Sequence, residues 1–306
     1  MNNDLQITID HKGAELVSIQ CDGKEYLWYG EEKFWSRHAP ILFPIVGRLA
    51  NDTLRINGRE YTMKQHGFAR DAEFTLQNVN LNISPNNVIF NSVDPPIKYV
   101  MDSPRRLPNY PYNFSLAVNY DIQGNIINCM WEVRNLGVDT MYFQIGAHPA
   151  FLLPDYNEKD AIHGYIQCYD DNGKVINPMI CNYLEEGLRY SYGTPKTLHN
   201  EYEVLAITNT TFQQDALLIG AKQVKCASLF DKKGNKVLTV NCPQADAFGI
   251  WAPNKPGCPF VCIEPWCGMA DRYDFSGDIS EREYNHSLNP GETYLFSYSI
   301  EIHRKK

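Results

Sequence analysis

The 306-residue sequence has no uninterrupted apolar run of the roughly 18 residues that a membrane-spanning helix needs. Its first residues, Met1–Gln6, lack the basic and apolar regions of a secretory signal. Basic side chains are also fewer than acidic ones, 28 against 36, so the net charge is −8 with histidine neutral. An acidic surface repels phosphate backbones. We therefore expect a cytoplasmic protein with neither a nucleic-acid nor a membrane partner.

The nine cysteines do not form an evident disulfide framework, since their number is odd and they are scattered along the chain. Cys258, Cys262 and Cys267 are separated by three and four residues, whereas zinc sites usually use tighter cysteine pairs. We interpret these three as ordinary buried thiols. The sequence thus predicts reduced cysteines, no metal and no cofactor, with activity that survives EDTA and no stoichiometric transition metal.

Helical periodicity is nearly absent; we expect a helical turn or two at Asn157–Ile162 and at Ser280–Tyr284. The dominant pattern is short strands with period-two alternation, separated by turn residues. Thr53–Ile56, Asn57-Gly58 and Arg59–Met63 read as a hairpin with a type I′ turn. Further hairpins are expected at Asn113–Val133 and around two glycine turns, with a long final strand at Thr293–Ile302.

No composition break, linker or repeat divides the chain. The glycine turns of the further hairpins are Asp171-Asn172-Gly173 and Lys233-Gly234-Asn235. Many closely spaced strands without a βαβ rhythm favour an all-β sandwich or barrel. We predict one large antiparallel β domain over residues 1–306.

Four segments place polar side chains beside apolar strand ends and Gly/Pro corners. A carboxylate or imidazole that loses solvation in such a place has a shifted pKa and can exchange protons near neutrality. His148 and Glu264 are the strongest candidates, because each interrupts or ends an apolar strand. The segments are Phe43–Arg48, Gln65–Asp71, Gln144–Phe151 and Phe260–Trp266.

Structural roles are the alternative for each of these residues. His66 and His148 would then be hydrogen-bonded core histidines, and Arg48 and Arg70 would pair with nearby surface carboxylates. His66, His148 and Glu264 would also suit a two-histidine, one-carboxylate iron site, but no short His-x-His or His-x-Asp pair supports it.

Taken together and in this order, three motifs resemble the aldose 1-epimerase (galactose mutarotase-like) family, especially its LacX-like branch. They are Phe43-Pro44-Ile45-Val46-Gly47-Arg48, Gln65-His66-Gly67-Phe68-Ala69-Arg70-Asp71 and Gly146-Ala147-His148-Pro149-Ala150-Phe151. The resemblance covers essentially the whole chain. It implies a single-domain antiparallel β-sandwich, the galactose mutarotase-like supersandwich, with a sugar cleft on one concave face.

The same resemblance implies residue roles. Glu264 would be the general base and His148 the general acid, while Arg48 and His66 would contact sugar hydroxyls. Arg70 belongs to the second motif and is expected to face the cleft. The family also has a sugar-binding aspartate in its later half, and Asp215 in Phe212–Leu217 is the best match; an exposed loop aspartate is the alternative.

The chemistry of anomer exchange agrees with these roles. A base removes the O1 proton, an acid protonates the ring oxygen, and closure on the other face reverses both transfers, so no metal or redox cofactor is needed. Aromatic side chains suit sugar stacking, and Trp251, Trp266 and Phe68 are the expected platforms; a place in the hydrophobic core is the alternative for all three.

The predicted function is therefore an aldose 1-epimerase acting on a hexose, with a monosaccharide as its partner. A hexose-6-phosphate 1-epimerase is the second enzyme alternative, in which Arg105-Arg106 would contact the phosphate. A carbohydrate-binding protein without activity is the third, although such a protein needs neither an acid nor a base.

Overall fold

The computed structural model describes residues 5–77, 86–91, 94–103, 107–198 and 203–304. The segments with period-two alternation form antiparallel strands in it. Strands of these residues are numbered in chain order, β1 to β26. Helical structure there is limited to 3₁₀ turns at Ala50–Asp52, Ala69–Asp71 and Ile279–Glu281. Within the described ranges, no helix has the length and apolarity that a membrane crossing requires. The all-β prediction is confirmed.

The larger of the two main sheets runs through the middle and the end of the chain. Its spatial order is β16 (Val175–Ile176), β15 (Gly164–Tyr169), β21 (Cys226–Phe230), β22 (Lys236–Asn241), β26 (Thr293–Ile302), β11 (Ile126–Asn135), β10 (Phe114–Gln123), β9 (Ile97–Ser103) and β7 (Thr75–Gln77), with β19 (Leu205–Ile207) paired to β15. The predicted hairpins β10–β11, β15–β16 and β21–β22 are all present.

The second main sheet carries the segments that the sequence singled out. Its order is β18 (Leu188–Thr197), β17 (Met179–Glu185), β20 (Leu217–Ile219), β23 (Ala247–Trp251), β24 (Phe260–Cys267), β13 (Ile145–Ala147) and β4 (Ile41–Leu42), with β14 (Ala150–Leu152) paired to β24.

Smaller sheets surround these two. One has the order β3 (Lys24–Glu25), β2 (Leu16–Cys21), β1 (Gln6–Asp10) and β8 (Asn87–Asn91), and two-stranded ribbons join β12 (Met141–Phe143) to β25 (His286–Leu288) and β5 (Thr53–Ile56) to β6 (Arg59–Thr62).

Local turn chemistry explains the β5–β6 hairpin. Asn57 and Gly58 have φ values of 50° and 74°, and a type I′ turn needs positive φ at both central residues. The predicted helical turns are less accurate. Asn157–Ile162 forms only a turn, in which the Asp160 amide donates to the Asn157 carbonyl. The turn predicted at Ser280–Tyr284 is a 3₁₀ turn at Ile279–Glu281.

The alternation along β24 positions the cleft. Val261, Ile263 and Cys267 pack into the main hydrophobic core, which extends from Leu5 to Ile302. The intervening residues face the other side, where Phe260 and Cys262 join one small apolar cluster and Trp266 joins another. Every residue of β24 is buried, as expected for a central strand covered on both faces. Glu264 shares the side of Cys262 and Trp266, away from the main core.

Candidate active site

A cleft of about 370 Å³ opens on this second side of the sheet. Five of the six residues predicted to form the site line it, with Arg48 the exception. The lining residues are Trp35, Gly47, Gln65, His66, Arg70, His148, Leu184, Glu186, Gly187, Asp215, Ala216, Trp251, Glu264, Trp266 and Ala270.

Glu264 is the most deeply buried charged candidate, with 1% of its surface exposed. It pairs across the sheet with Gly249, where an added Cβ would lie 3.5 Å from the Glu264 Cδ. The glycine therefore leaves open space beside the carboxyl group. A carboxylate is rarely buried in this way without a partner.

That partner is His148, in the two-residue connection between β13 and β14. Its Nε2 lies 3.1 Å from Glu264 Oε2. The imidazole stacks on Trp35 with ring centroids 4.8 Å apart, and the edges of Trp251 and His66 complete its surroundings at 5.5 Å. Three aromatic contacts thus fix the plane of the ring and hold Nε2 against the carboxyl group.

The two groups are close but not aligned as a hydrogen bond. Within the described part of the chain, Glu264 Oε2 and His148 Nδ1 have no hydrogen-bond partner. Burial lowers the pKa of His148 to about 3. Burial also raises the pKa of Glu264 well above its usual range, and the Asp215 carboxylate raises it further. Since each group lies next to the other, we expect the pair to share one proton at neutral pH.

His66 is held in a defined tautomer. The Gly47 amide donates to His66 Nδ1 over 3.1 Å, so the proton of the neutral ring is on Nε2. Burial lowers the pKa of His66 well below its ordinary value, and positive charge on the neighbouring His148 lowers it further. His66 has a φ of 65°, and the next residue must be glycine, because a Cβ at Gly67 would lie 2.2 Å from the Phe43 carbonyl oxygen.

Arg70 places a cation in the wall of the cleft. It lies in the 3₁₀ turn Ala69–Asp71, and its Nη2 donates to the Gln65 carbonyl over 2.5 Å. Burial and the guanidinium of Arg37 lower its pKa to about 10, which leaves it charged at pH 7. Its buried Nε has no hydrogen-bond partner among the described residues.

Asp215, from the later half of the chain, also lines the cleft. It has a φ of 72°, and its Oδ1 accepts a 2.7 Å hydrogen bond from the Ala216 amide. This bond fixes the carboxylate just before β20. The negative charge of Asp215 adds to burial in raising the pKa of Glu264.

Arg48 lies behind the rim of the cleft. Its Nε bonds Asp52 Oδ1 at 2.9 Å, and its Nη1 donates to the Glu186 carbonyl, also at 2.9 Å. Glu186 and Gly187 form the β17–β18 turn at the rim, with φ values of 50° and 78°. Arg48 therefore anchors a rim turn in this structure, and its direct contact with a sugar stays a prediction.

Of the predicted aromatic platforms, Trp251 and Trp266 line the cleft. Phe68 instead packs against Phe43, Tyr110 and Phe114 in the main core. Sequence reasoning missed Trp35, which lies outside the motifs and carries no local signal of a site. It also missed Gln65, although that residue opens the second motif, and the Glu186–Gly187 turn.

The sequence offered two possible metal sites, one with three cysteines and one with His66, His148 and Glu264, and the structure brings together neither set. Cys258, Cys262 and Cys267 do not form a group, since Cys262 and Cys267 point to opposite faces of β24. Among the described residues, His148 and Glu264 group with Cys262, not with His66, as atoms within 4.8 Å of one another. Arg105-Arg106, the suggested phosphate contact, lies outside the described residues.

Comparisons with known proteins show the family of the chain. The family model of aldose 1-epimerase matches residues 1–301. The chain is 30% identical to the chromosomal LacX protein of Lactococcus lactis subsp. lactis, over 98% of this chain and 97% of that one.

Two solved structures share the fold. A galactose mutarotase related enzyme from Lactobacillus acidophilus has a TM-score of 0.82 and 28% identity, covering 99% of this chain and 96% of the other. A galactose mutarotase-like protein from Lactobacillus casei ATCC 334 has a TM-score of 0.84 and 24% identity, covering 99% and 98%.

Proposed function

The chain belongs to the aldose 1-epimerase family, and on that premise we propose that it is a mutarotase that interconverts the α and β anomers of a free hexose. The observation that carries this proposal is the approach of His148 Nε2 to Glu264 Oε2, 3.1 Å apart inside the cleft. A base and an acid on neighbouring atoms are what one proton cycle requires.

The proposed reaction starts from the form of this one-proton pair in which the proton is on His148 and Glu264 is the carboxylate. Glu264 takes the proton of the sugar O1 while His148 gives its proton to the ring oxygen. The bond between C1 and the ring oxygen then breaks, and a carbonyl forms at C1. Rotation about C1–C2 presents the other face of the carbonyl, and both proton transfers run backwards on closure.

The pKa shifts fit the middle of this cycle. After ring opening Glu264 is protonated and His148 is neutral, and burial stabilises these two uncharged forms. The open-chain aldehyde is thus held next to a neutral pair rather than an ion pair. On closure from the opposite face, Glu264 returns its proton to O1 and His148 takes back the proton of the hydroxyl that becomes the ring oxygen.

The remaining lining residues would bind the sugar. Uncharged His66 offers an Nε2 donor, Arg70 a charged donor and Asp215 an acceptor for hydroxyl groups. Trp35, Trp251 and Trp266 would cover the apolar faces of the pyranose. Binding of this kind holds a hexose without selecting one anomer, as a catalyst of their exchange must.

We further propose that residues 1–306 form one domain, that the protein acts in the cytoplasm, and that the reaction uses no metal. Polarimetry of freshly dissolved α-glucose and α-galactose tests the function. Enzyme at catalytic concentration should shorten the approach to the equilibrium rotation, and His148→Asn should slow it by about 100-fold or more. An unchanged approach with tight sugar binding would instead support the non-catalytic carbohydrate-binding protein.

A further inference from the structure

A second group of buried ligand atoms lies on the other face of β24. Asp246 directly precedes β23, Cys267 ends β24, and His286 begins β25. Their side-chain donor atoms all lie within 4.8 Å of one another, and Asp246 Oδ2 is 3.8 Å from His286 Nε2. Because Cys267 alternates with Trp266, this group points away from the cleft.

Two of the atoms are unexplained by protein contacts. Asp246 is 5% exposed, yet its Oδ2 has no hydrogen-bond partner in the described parts of the chain, and the same is true of His286 Nε2. Buried polar atoms are normally paired, since an unpaired one costs about 1–3 kcal/mol. Both atoms face the same point, next to the Cys267 sulfur.

The surroundings hold the three donors in place. The Asp246 amide donates to the Trp266 carbonyl over 2.8 Å, and the Cys267 thiol donates to the Gln244 carbonyl over 3.2 Å. The ring of His286 packs against Phe143 and Tyr294, with centroids 5.6 and 4.5 Å away. The backbone bond fixes the chain at Asp246 and the ring contacts orient His286, whereas the Cys267 thiol gives up its hydrogen bond when it loses its proton.

We propose that Asp246, Cys267 and His286 bind a thiophilic divalent cation of the Zn²⁺ class. One sulfur, one imidazole nitrogen and one carboxylate oxygen are three of the four ligands of a tetrahedral zinc site, and water supplies the fourth. Tetrahedral bonds of about 2.0–2.3 Å separate ligand atoms by about 3.3–3.8 Å, so a small contraction brings the group to ligand distance. Binding releases the Cys267 thiol proton to solvent.

This site departs from the expectation that the chain holds no metal. Cysteine spacing cannot reveal it, because its three ligands come from separate strands. The ion would join β24 of the second main sheet to the β12–β25 ribbon and act structurally, leaving the proton chemistry of the cleft unchanged.

Lys222 lowers the cation affinity of the proposed site. Its ammonium lies 3.3 Å from Asp246 Oδ1 and leaves Oδ2 available, while the side chain is 63% exposed. A positive charge at this distance opposes a second cation. Lys222→Gln should therefore tighten metal binding rather than weaken it.

Cobalt is a suitable probe, because Co²⁺ accepts the same ligands and a Co²⁺–thiolate bond absorbs in the near ultraviolet. The full-length protein, treated with EDTA and dialysed, is titrated with Co²⁺. Wild type and the control Cys262→Ser, on the same strand but facing the cleft, should each bind one ion with a thiolate band that Zn²⁺ abolishes. Cys267→Ser should lose the band and more than about 100-fold in affinity.

The proposal is wrong if wild type shows no thiolate band or if the band survives in Cys267→Ser. It is also wrong if Cys262→Ser abolishes the band, because that result places the ion beside His148 and Glu264. Should Cys267→Ser fail to fold, the near-isosteric Asp246→Asn is expected to weaken Co²⁺ binding by more than about tenfold. Unchanged affinity in that variant also overturns the proposal.

Discussion

The burial of His148 makes the stability of the fold depend on pH in a defined direction. In the unfolded chain its pKa is about 6.5, whereas burial lowers it to about 3 in the folded protein. Below pH 6.5 the unfolded state therefore binds a proton that the folded state does not. Stability from this residue is lost as the pH falls from 6.5 towards 3, by up to about 1.4 kcal/mol per pH unit.

His148→Asn removes this contribution. Between pH 6.5 and pH 4.5 the free energy of unfolding of the variant should rise relative to wild type by up to about 3 kcal/mol. Glu264 has the opposite sign: its raised pKa lets the folded state keep a proton that the unfolded state releases, so it favours folding as the pH falls towards 4.5. Because the two groups titrate as a pair, the difference between variant and wild type reports the loss of the His148 proton site from that pair.

Urea unfolding followed by tryptophan fluorescence at several pH values measures this difference. His148→Gln is the matched second variant, because it also removes the imidazole from this site. It should show the same pH-dependent difference from wild type. A difference between His148→Asn and wild type that does not change with pH would refute the description of His148 as a buried neutral imidazole.

Other predictions concern binding and packing. Asp215→Asn should raise KM more than it lowers kcat, and Arg48→Ala should do the same through the rim turn, as steady-state kinetics will show. Glucose 6-phosphate should compete with glucose without a hundredfold preference, because Arg70 is the one arginine or lysine among the described residues that line the cleft. A larger preference that weakens as salt is added would favour the phosphorylated substrate. Gly146→Ala should cost about 1–3 kcal/mol in urea unfolding, since its Cβ would lie 2.9 Å from Trp266 Cδ1, and an unchanged midpoint would contradict that packing.

Local sequence signals predicted much of the fold. Asn57-Gly58 specifies a turn whose geometry does not depend on distant residues, so its hairpin was predictable to within a residue. The alternation of β10 and β11 likewise reflects burial on one face of each strand. The turn at Asn157–Ile162 was misjudged, because short turns close with few bonds and carry little periodicity.

The site was predictable where chemistry conflicts with local burial. His148 and Glu264 are polar residues within apolar segments of the sequence, and that conflict is visible without a structure. Trp35 carries no such conflict, and only the pairing of distant strands brings it onto His148. The same limit applies to Phe68, because its motif does not show whether the side chain faces the cleft or the main core.

The central claim is that Glu264 and His148 exchange the protons of ring opening. Its most direct test is the rate of anomer exchange in Glu264→Gln, measured by polarimetry of fresh α-glucose or α-galactose on protein shown to be folded. This variant keeps the shape of the side chain and removes the base. We predict a kcat lower by about 100-fold or more, with the acid limb of the bell-shaped pH profile shifted or lost. A folded Glu264→Gln that turns over at nearly the wild-type rate would contradict the mechanism.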